Sequence, residues 1–495
     1  MAQIRVNDLT FCYDGSWDNV FTHLSFSVDT DWRLGLVGRN GRGKTTLLRL
    51  LAGELDAGSA LHSPVHFSLF PFSIADEDAL CGDIAAELSG GAPQWKLLRE
   101  MGLLGLSEEL LWRAYSTLSG GERTKLQLAA LFLRENNFLL IDEPTNHLDM
   151  EGRQLLQRYL ADKKGFILVS HDRRFLDASV DHIMALNPAG IDVVQGNFSQ
   201  WYENKQRRDA FERSENDRLQ RDISRISAAA KRTGGWADRA ESAKYARGGA
   251  DGENKMGLRP YMGEKSRKMQ AQRKAMEKRS ARAIEQKSAL LKNLEKTEEL
   301  KITPLLYHKD RMVEAADLSL YYGERCVCRD IRFAVQRGDR IALTGANGSG
   351  KSTLLRLICG EDIRHEGTLL VGSGLKISVV QQDSSFLSGS VYDYAEACGA
   401  DLTRFLTILR KLDFPREQFE KDMAAFSRGQ QKKVLLARSL AEDAHLYIWD
   451  EPLNYIDIFS RMQLEQLLQQ AKPTILFVEH DAAFCDAIAN KQLRL

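Results

Sequence analysis

The stretch Gly38-Arg39-Asn40-Gly41-Arg42-Gly43-Lys44-Thr45 decides the fold, because it returns 307 residues later as Gly345-Ala346-Asn347-Gly348-Ser349-Gly350-Lys351-Ser352. Both copies fit G-x-x-x-x-G-K-[ST]. In that pattern the backbone N–H groups of a glycine-rich loop cradle phosphates, the lysine reaches the terminal phosphates, and the hydroxyl sits on Mg²⁺. Gly38, Asn40, Gly41, Gly43, Lys44, Thr45 and Thr46 are therefore candidate nucleotide contacts in the first copy. Gly345, Asn347, Gly348, Gly350, Lys351, Ser352 and Thr353 are their counterparts in the second. The setting supports the reading, since Arg33-Leu34-Gly35-Leu36-Val37 is an apolar run feeding the loop and Thr45-Thr46-Leu47-Leu48-Arg49-Leu50-Leu51 begins a helix after it. A chain with two such loops binds two nucleotides.

Outward from the loops the order of elements repeats. Ile4-Arg5-Val6, Leu9–Tyr13 and Leu24–Val28 read as short antiparallel strands, and Leu318–Tyr322 stands at the matching place in the second half. Phe138–Ile141 and Phe166–Val169, with Leu446–Trp449 and Ile475–Val478, read as buried strands alternating with helices, which predicts a parallel α/β sheet in each half. At 495 residues the chain is too long for one core, and an internal duplication plus a spacer accounts for it. The expected boundaries are 1–200, 201–304 and 305–495.

The chain holds 68 Lys and Arg against 68 Asp and Glu, yet residues 201–300 carry 25 against 16. A basic segment of that kind attracts polyanions, although a solvated charged helix accounts for the composition as well. Its Lys, Arg, Glu, Gln and Ala content predicts two helices, about 200–233 and 265–300, broken by Gly234-Gly235 and Gly248-Gly249-Ala250-Asp251-Gly252. No apolar run reaches the roughly 20 residues of a membrane span, and the N-terminal residues read as neither signal nor transit peptide, which predicts a cytoplasmic protein. The seven scattered cysteines lack metal-ligand spacing and are expected to be buried free thiols.

Leu118-Ser119-Gly120-Gly121-Glu122 heads a helix 23 residues before Asp142, and Ser427-Arg428-Gly429-Gln430 stands 23 residues before Asp450. A serine and glycines at a helix N-terminus offer N–H groups and a hydroxyl to phosphate, so Ser119, Gly120, Gly121, Ser427 and Gly429 join the candidates. Asp142-Glu143 and Asp450-Glu451 each follow an apolar strand. There the aspartates can hold Mg²⁺ and the glutamates can polarise an attacking water. His171 and His480 follow the next strand and are candidate γ-phosphate contacts. A single acid pair or histidine would be an ordinary cap, but here each occurs twice in register.

Phosphate loop, Ser-Gly-Gly-Glu signature, acid pair followed by Asn146-His147-Leu148-Asp149, and a histidine beyond it together resemble the ATP-binding-cassette family. The resemblance implies a head-to-tail sandwich in which each phosphate loop faces the other cassette's signature and two ATP molecules join the halves of a monomer. It also implies that Tyr13 and Tyr322 stack on adenine, with core tyrosines as the alternative, and that Gln382 contacts Mg²⁺. Two fused cassettes, the Glu143–Asp149 run, and Gly196-Asn197-Phe198-Ser199 leading into a basic hairpin resemble the ABC-F branch. That resemblance implies a 70S ribosome partner and no membrane partner. The hairpin would enter the exit-tRNA site and approach 23S rRNA and P-site tRNA through Lys244, Tyr245, Arg247, Lys255, Met256, Arg259 and Tyr261.

Lys44 to Ser119 spans 75 residues and Lys351 to Ser427 spans 76, leaving no room for the extra arm of housekeeping relatives. The Asp29–Lys44 run and Phe426-Ser427-Arg428-Gly429-Gln430 resemble Lsa-type antibiotic-resistance proteins. This implies protection against lincosamides, pleuromutilins and streptogramin A. The competing readings are a translation factor without drug linkage, a transporter ATPase subunit and a DNA-repair ATPase. Coupling domains for the second, and zinc cysteines or long coiled coils inserted within a cassette for the third, are missing from the sequence. Two departures fall in one composite site: Arg428 stands for a glycine, and Phe70-Pro71-Phe72 stands where the second cassette has Val380-Gln381-Gln382. Unequal sites are the expected result.

Overall fold

The computed structural model describes residues 2–13, 19–56, 58–146, 148–187, 190–246, 278–279, 300–346 and 348–495. It divides into two units, Met1–Trp201 with Glu298–Leu495, and Tyr202–Thr297. Both halves of the duplication thus lie in the first unit.

Each half is an α/β cassette, as the repeat predicts. In the first, the sheet order is His66–Phe70, Asn137–Asp142, Phe166–Val169, Arg33–Val37, His182–Asn187, Gly190–Gln195; only the last strand is antiparallel to its neighbour. In the second it is Ile377–Val380, Leu446–Asp450, Ile475–Val478, Arg340–Thr344, Lys491–Arg494, all parallel. The central strands Phe166–Val169, Leu446–Asp450 and Ile475–Val478 read as apolar runs because every one of their residues is buried. An antiparallel three-stranded sheet accompanies each, built from Gln3–Phe11, Phe21–Asp29 and Leu61–His62, and from Arg311–Tyr322, Arg325–Gln336 and His365–Val371.

This topology places the functional loops. Both phosphate loops leave a central strand and enter helices Lys44–Ala52 and Lys351–Ile358 through left-handed Gly43 (φ 90°) and Gly350 (φ 94°). A Cβ at Gly43 would stand 2.8 Å from Phe21 and Val20, and one at Gly350 2.9 Å from Val327, so only glycine fits. Ser119 and Ser427 each cap a helix, Gly120–Leu131 and Arg428–Ala441, through a reciprocal capping box with Glu122 and Gln430.

The halves are tied to each other by charge. Arg173 pairs with Glu465, Arg174 with Asp486 at 2.7 Å, and Arg39 with Asp413 at 3.4 Å. Asp457 caps helix Ile458–Ala471 and pairs with Lys433 at 3.1 Å, both fully buried. Burial alone would raise the Asp457 carboxyl, but Lys433, the Ser460 N–H, and His171 and Lys44 of the first cassette hold it far below the usual carboxylate range.

Two expectations change. The cysteines are free, but only Cys81 and Cys485 are buried, whereas Cys12 and Cys359 are exposed and the rest lie between. The helix Phe198–Ala246 runs without interruption through Gly234-Gly235. Each glycine costs about 1 kcal/mol in a helix, which the flanking alanines, lysines and arginines tolerate. Lys278 and Arg279 are helical, and the rest of the proposed second arm lies outside the described residues.

Replacing Asp457 with Ala should cost about 3–5 kcal/mol in urea unfolding, because Lys433 is left charged and buried. The same change at the exposed Arg311–Glu314 pair should cost under about 1 kcal/mol. With its folded pKa below the unfolded one, Asp457 contributes stability above the ordinary carboxylate range. That contribution should disappear as pH falls below that range toward the folded value.

Candidate nucleotide-binding clefts

Two clefts of similar size open between the cassettes. One, of about 660 Å³, brings Asn40, Gly41, Gly43, Lys44, Thr45, Asp142, Glu143 and His171 of the first cassette against Ser427, Arg428 and Gly429 of the second. The other, of about 670 Å³, brings Gly348, Gly350, Lys351, Ser352, Thr353, Gln382, Glu451 and His480 against Ser119, Gly120 and Gly121. The arrangement is head to tail.

Both lysines are buried and point back along their loops. Lys44 Nζ donates to the Gly38 carbonyl at 2.7 Å and the Arg39 carbonyl at 3.2 Å. Lys351 Nζ donates to Gly345 at 2.9 Å and Ala346 at 2.8 Å. Burial lowers both pKa values, against the pull of the nearby acid pairs. Thr45 Oγ1 donates to Asp142 Oδ2 at 2.8 Å, and the Ser352 hydroxyl bonds Asp450. Asp450 Oδ1 is buried without a hydrogen bond. A hydroxyl beside a strand-end carboxylate with an unused oxygen suits Mg²⁺ held with nucleotide phosphates.

The acid pairs differ in a way their sequence hides. Glu143 and Glu451 share a strained positive φ, 50° and 46°, and each faces its histidine, with His171 Nε2 at 3.4 Å and His480 Nε2 at 3.5 Å. Glu451 Oε2 accepts from Gln382 Nε2 at 2.8 Å and from Asn454 Nδ2 at 2.6 Å. Glu143 Oε1 is buried with no hydrogen bond. Burial raises both carboxyls, but His480, Gln382 and Lys432 outweigh it at Glu451 and hold that group below its ordinary value. At Glu143 burial and the neighbouring Asp142 prevail over Arg461 and Lys44 and push the carboxyl up to about 8. Where Gln382 supplies a side-chain amide in the other cassette, the first has Phe72, whose backbone is bonded to Gln127 at 3.0 and 2.9 Å.

Tyr13 is exposed and does not line the cleft, its hydroxyl sharing a 2.8 Å hydrogen bond with Thr46 and its ring edge-on to Phe11 at 5.2 Å. Tyr322 ends a strand. Lys244 and Tyr245 belong to the backbone of helix Phe198–Ala246. His147, Arg247, Lys255, Met256, Arg259, Tyr261 and Asn347 lie outside the described residues. Sequence reasoning missed Lys432, which donates to the Gln381 and Gln382 carbonyls at 2.7 and 3.1 Å and so holds the glutamine-bearing loop. Its signal was a lysine on an otherwise apolar helix face.

The ABC transporter family profile matches residues 21–146 and 328–454, one stretch in each cassette. The chain belongs to the ABC transporter family. Cassettes of that family bind and hydrolyse ATP. The ABC-F resemblance extends over nearly the whole chain. It is 30% identical over 494 residues to the ribosome protection protein VmlR of Bacillus subtilis, covering 97% of this chain and 85% of that one. It is 26% identical to the energy-dependent translational throttle protein EttA of Escherichia coli, covering 95% and 88%. The solved structure of the archaeal ribosome recycling factor aABCE1, in complex with the ribosomal stalk protein aP1, shares the fold with a TM-score of 0.62 at 19% identity, covering 98% and 87%. No described helix of this family member is long and apolar enough to cross a membrane.

A Cβ at Gly429 would stand 2.6 Å from the Tyr455 carbonyl, which itself accepts from Asn40 Nδ2 of the opposite phosphate loop at 3.0 Å. Gly429→Ala should therefore wedge one cleft open. A fluorescent-ATP titration should show one site weakened about tenfold, the loss of a hydrogen bond to a buried group, with the other unchanged.

Proposed function

We propose that this chain is an ATP-driven ribosome-binding protein of the ABC-F branch that protects the ribosome from drugs bound near the peptidyl-transferase centre. The observation that carries the ATP-driven part is the pair of clefts, each completed by a signature from the other cassette. Nucleotide can bridge the halves only when they are together, so binding and release become a mechanical cycle. The ribosomal part is supported by the relatives named above and by the basic segment 201–300.

In this reading Lys44 and Lys351 turn from the loop carbonyls to the terminal phosphates, and the capped helices of Ser119 and Ser427 present N–H groups to the same phosphates from across the interface. Thr45 with Asp142, and Ser352 with Asp450 and Gln382, would hold Mg²⁺, which when bound neutralises charge on the phosphate oxygens. Glu451, ionised and oriented by Gln382 and Asn454, accepts a proton from the attacking water. His480 stays beside it to meet the γ-phosphate. Glu143 and His171 have the same places in the other cleft, but Glu143 carries its proton at neutral pH, so that cleft turns over slowly.

Closure fixes the hairpin, which enters the exit-tRNA site and displaces lincosamide, pleuromutilin or streptogramin A; hydrolysis opens the halves. The second reading, a translation factor acting without drugs, is favoured by the similarity to EttA. The Glu143→Gln/Glu451→Gln double variant should co-sediment with 70S ribosomes in ATP, and absence of co-sedimentation would sink the ribosomal reading. Drug susceptibility on expression of the wild type then separates the two.

The clefts should also titrate differently. Glu143 faces Asp142, Lys44, Arg461 and His171, and with a pKa of about 8 only roughly one molecule in ten is ionised at pH 7. ATP turnover of Glu451→Gln should rise up to about tenfold from pH 7 toward 9, whereas turnover of Glu143→Gln should be nearly flat over that range.

A further inference from the structure

Arg428 is the one residue of the second signature that the proposed cycle leaves without a task. It stands where the first signature has Gly120, and it lines the Lys44 cleft. It is the first residue of the 14-residue helix Arg428–Ala441, directly after the cap Ser427. A cation at that end meets the positive pole of the helix dipole, an unfavourable place unless an anion comes to it. The guanidinium donates to the neutral Tyr455 hydroxyl at 3.0 Å and lies over that ring at 5.6 Å. Among the described residues no carboxylate forms an ion pair with it.

Its surroundings point toward the opposite phosphate loop. Tyr455, on which the guanidinium rests, accepts from Asn40 through its carbonyl, and a Cβ at the adjoining Gly429 would be 3.3 Å from Asn40 Nδ2. Lys44 and Lys433, the latter paired with Asp457, line the same cleft, as Lys351 and Lys125 line the other, so Arg428 is the extra cation. The same cleft has Phe72 where the other has Gln382, and Glu143 Oε1 there takes no hydrogen bond. It is poorly equipped for hydrolysis and well equipped to hold an anion.

We propose that Arg428 is a phosphate-contacting residue supplied by the second cassette, which leaves Tyr455 for the terminal phosphates of the ATP held by Lys44 and makes that cleft the retaining one. The inference rests on the reading of the clefts as ATP sites. A guanidinium fork matches phosphate oxygens bidentately, and a contact to the terminal phosphates favours ATP over ADP. One ATP then persists in the Lys44 cleft through several turnovers at the Lys351 cleft, keeping the halves engaged on that side.

The test is release of labelled ATP from the Glu143→Gln/Glu451→Gln chain in Mg²⁺, chased with unlabelled ATP. Two phases are expected, and adding Arg428→Gly, which installs the residue found at Gly120, should speed the slow phase at least tenfold and leave the fast phase alone. Arg428→Lys should lie between, and Tyr455→Phe should leave the slow phase intact or slower. An unchanged slow phase in Arg428→Gly, or both phases accelerating equally, overturns the proposal while leaving the ATP reading standing. Failure of the double variant to bind ATP at all overturns both.

Discussion

The structure depends on a close approach across the cassette interface: the phosphate loop of one half lies against the capped helix end of the other. At the first cleft this is concrete. Gly429 has no room for a side chain because the Tyr455 carbonyl lies beside it, and that carbonyl is bonded by Asn40. Helix N-termini and glycine loops both present unsatisfied N–H groups, and two such surfaces facing each other attract an anion between them. In the proposed cycle ATP supplies that anion and draws the two surfaces together.

Within that shared frame the clefts diverge through few substitutions. Phe72 in place of Gln382 removes a donor from the glutamate, and the loss is compounded because Glu143 Oε1 takes no hydrogen bond, whereas Glu451 also gains one from Asn454. Burial and a neighbouring carboxylate favour the protonated form of a carboxyl that has few donors. In the proposed cycle the charge lost with protonated Glu143 adds to the effect of Arg428, so that one cleft would hold phosphate and the other react it.

Much of this was legible in the sequence because phosphate chemistry allows few residue types and fixed spacings. Lys44, Lys351, the two signatures, the acid pairs and the histidines all stood out in register, and the strand-loop-helix settings around them followed from short apolar runs between glycines. The head-to-tail pairing came from family resemblance and was met in the clefts. What stayed hidden depends on neighbours distant in the chain. Lys432 and Lys433 take their roles from Gln381, Gln382, Leu412 and Asp457, which surround them only in the fold. Gly234-Gly235 reads as a break because a local rule cannot weigh the helix formers on either side. Both glutamates follow identical Asp residues, and only their hydrogen-bond partners separate them.

The central claim is that the two clefts are chemically unequal, and the identity of the nucleotide in each during turnover tests it most directly. A structure of the wild-type chain determined at steady state with Mg²⁺ and excess ATP should show a triphosphate beside Lys44 and a diphosphate beside Lys351. The same nucleotide species in both clefts, or the reverse distribution, would contradict the account.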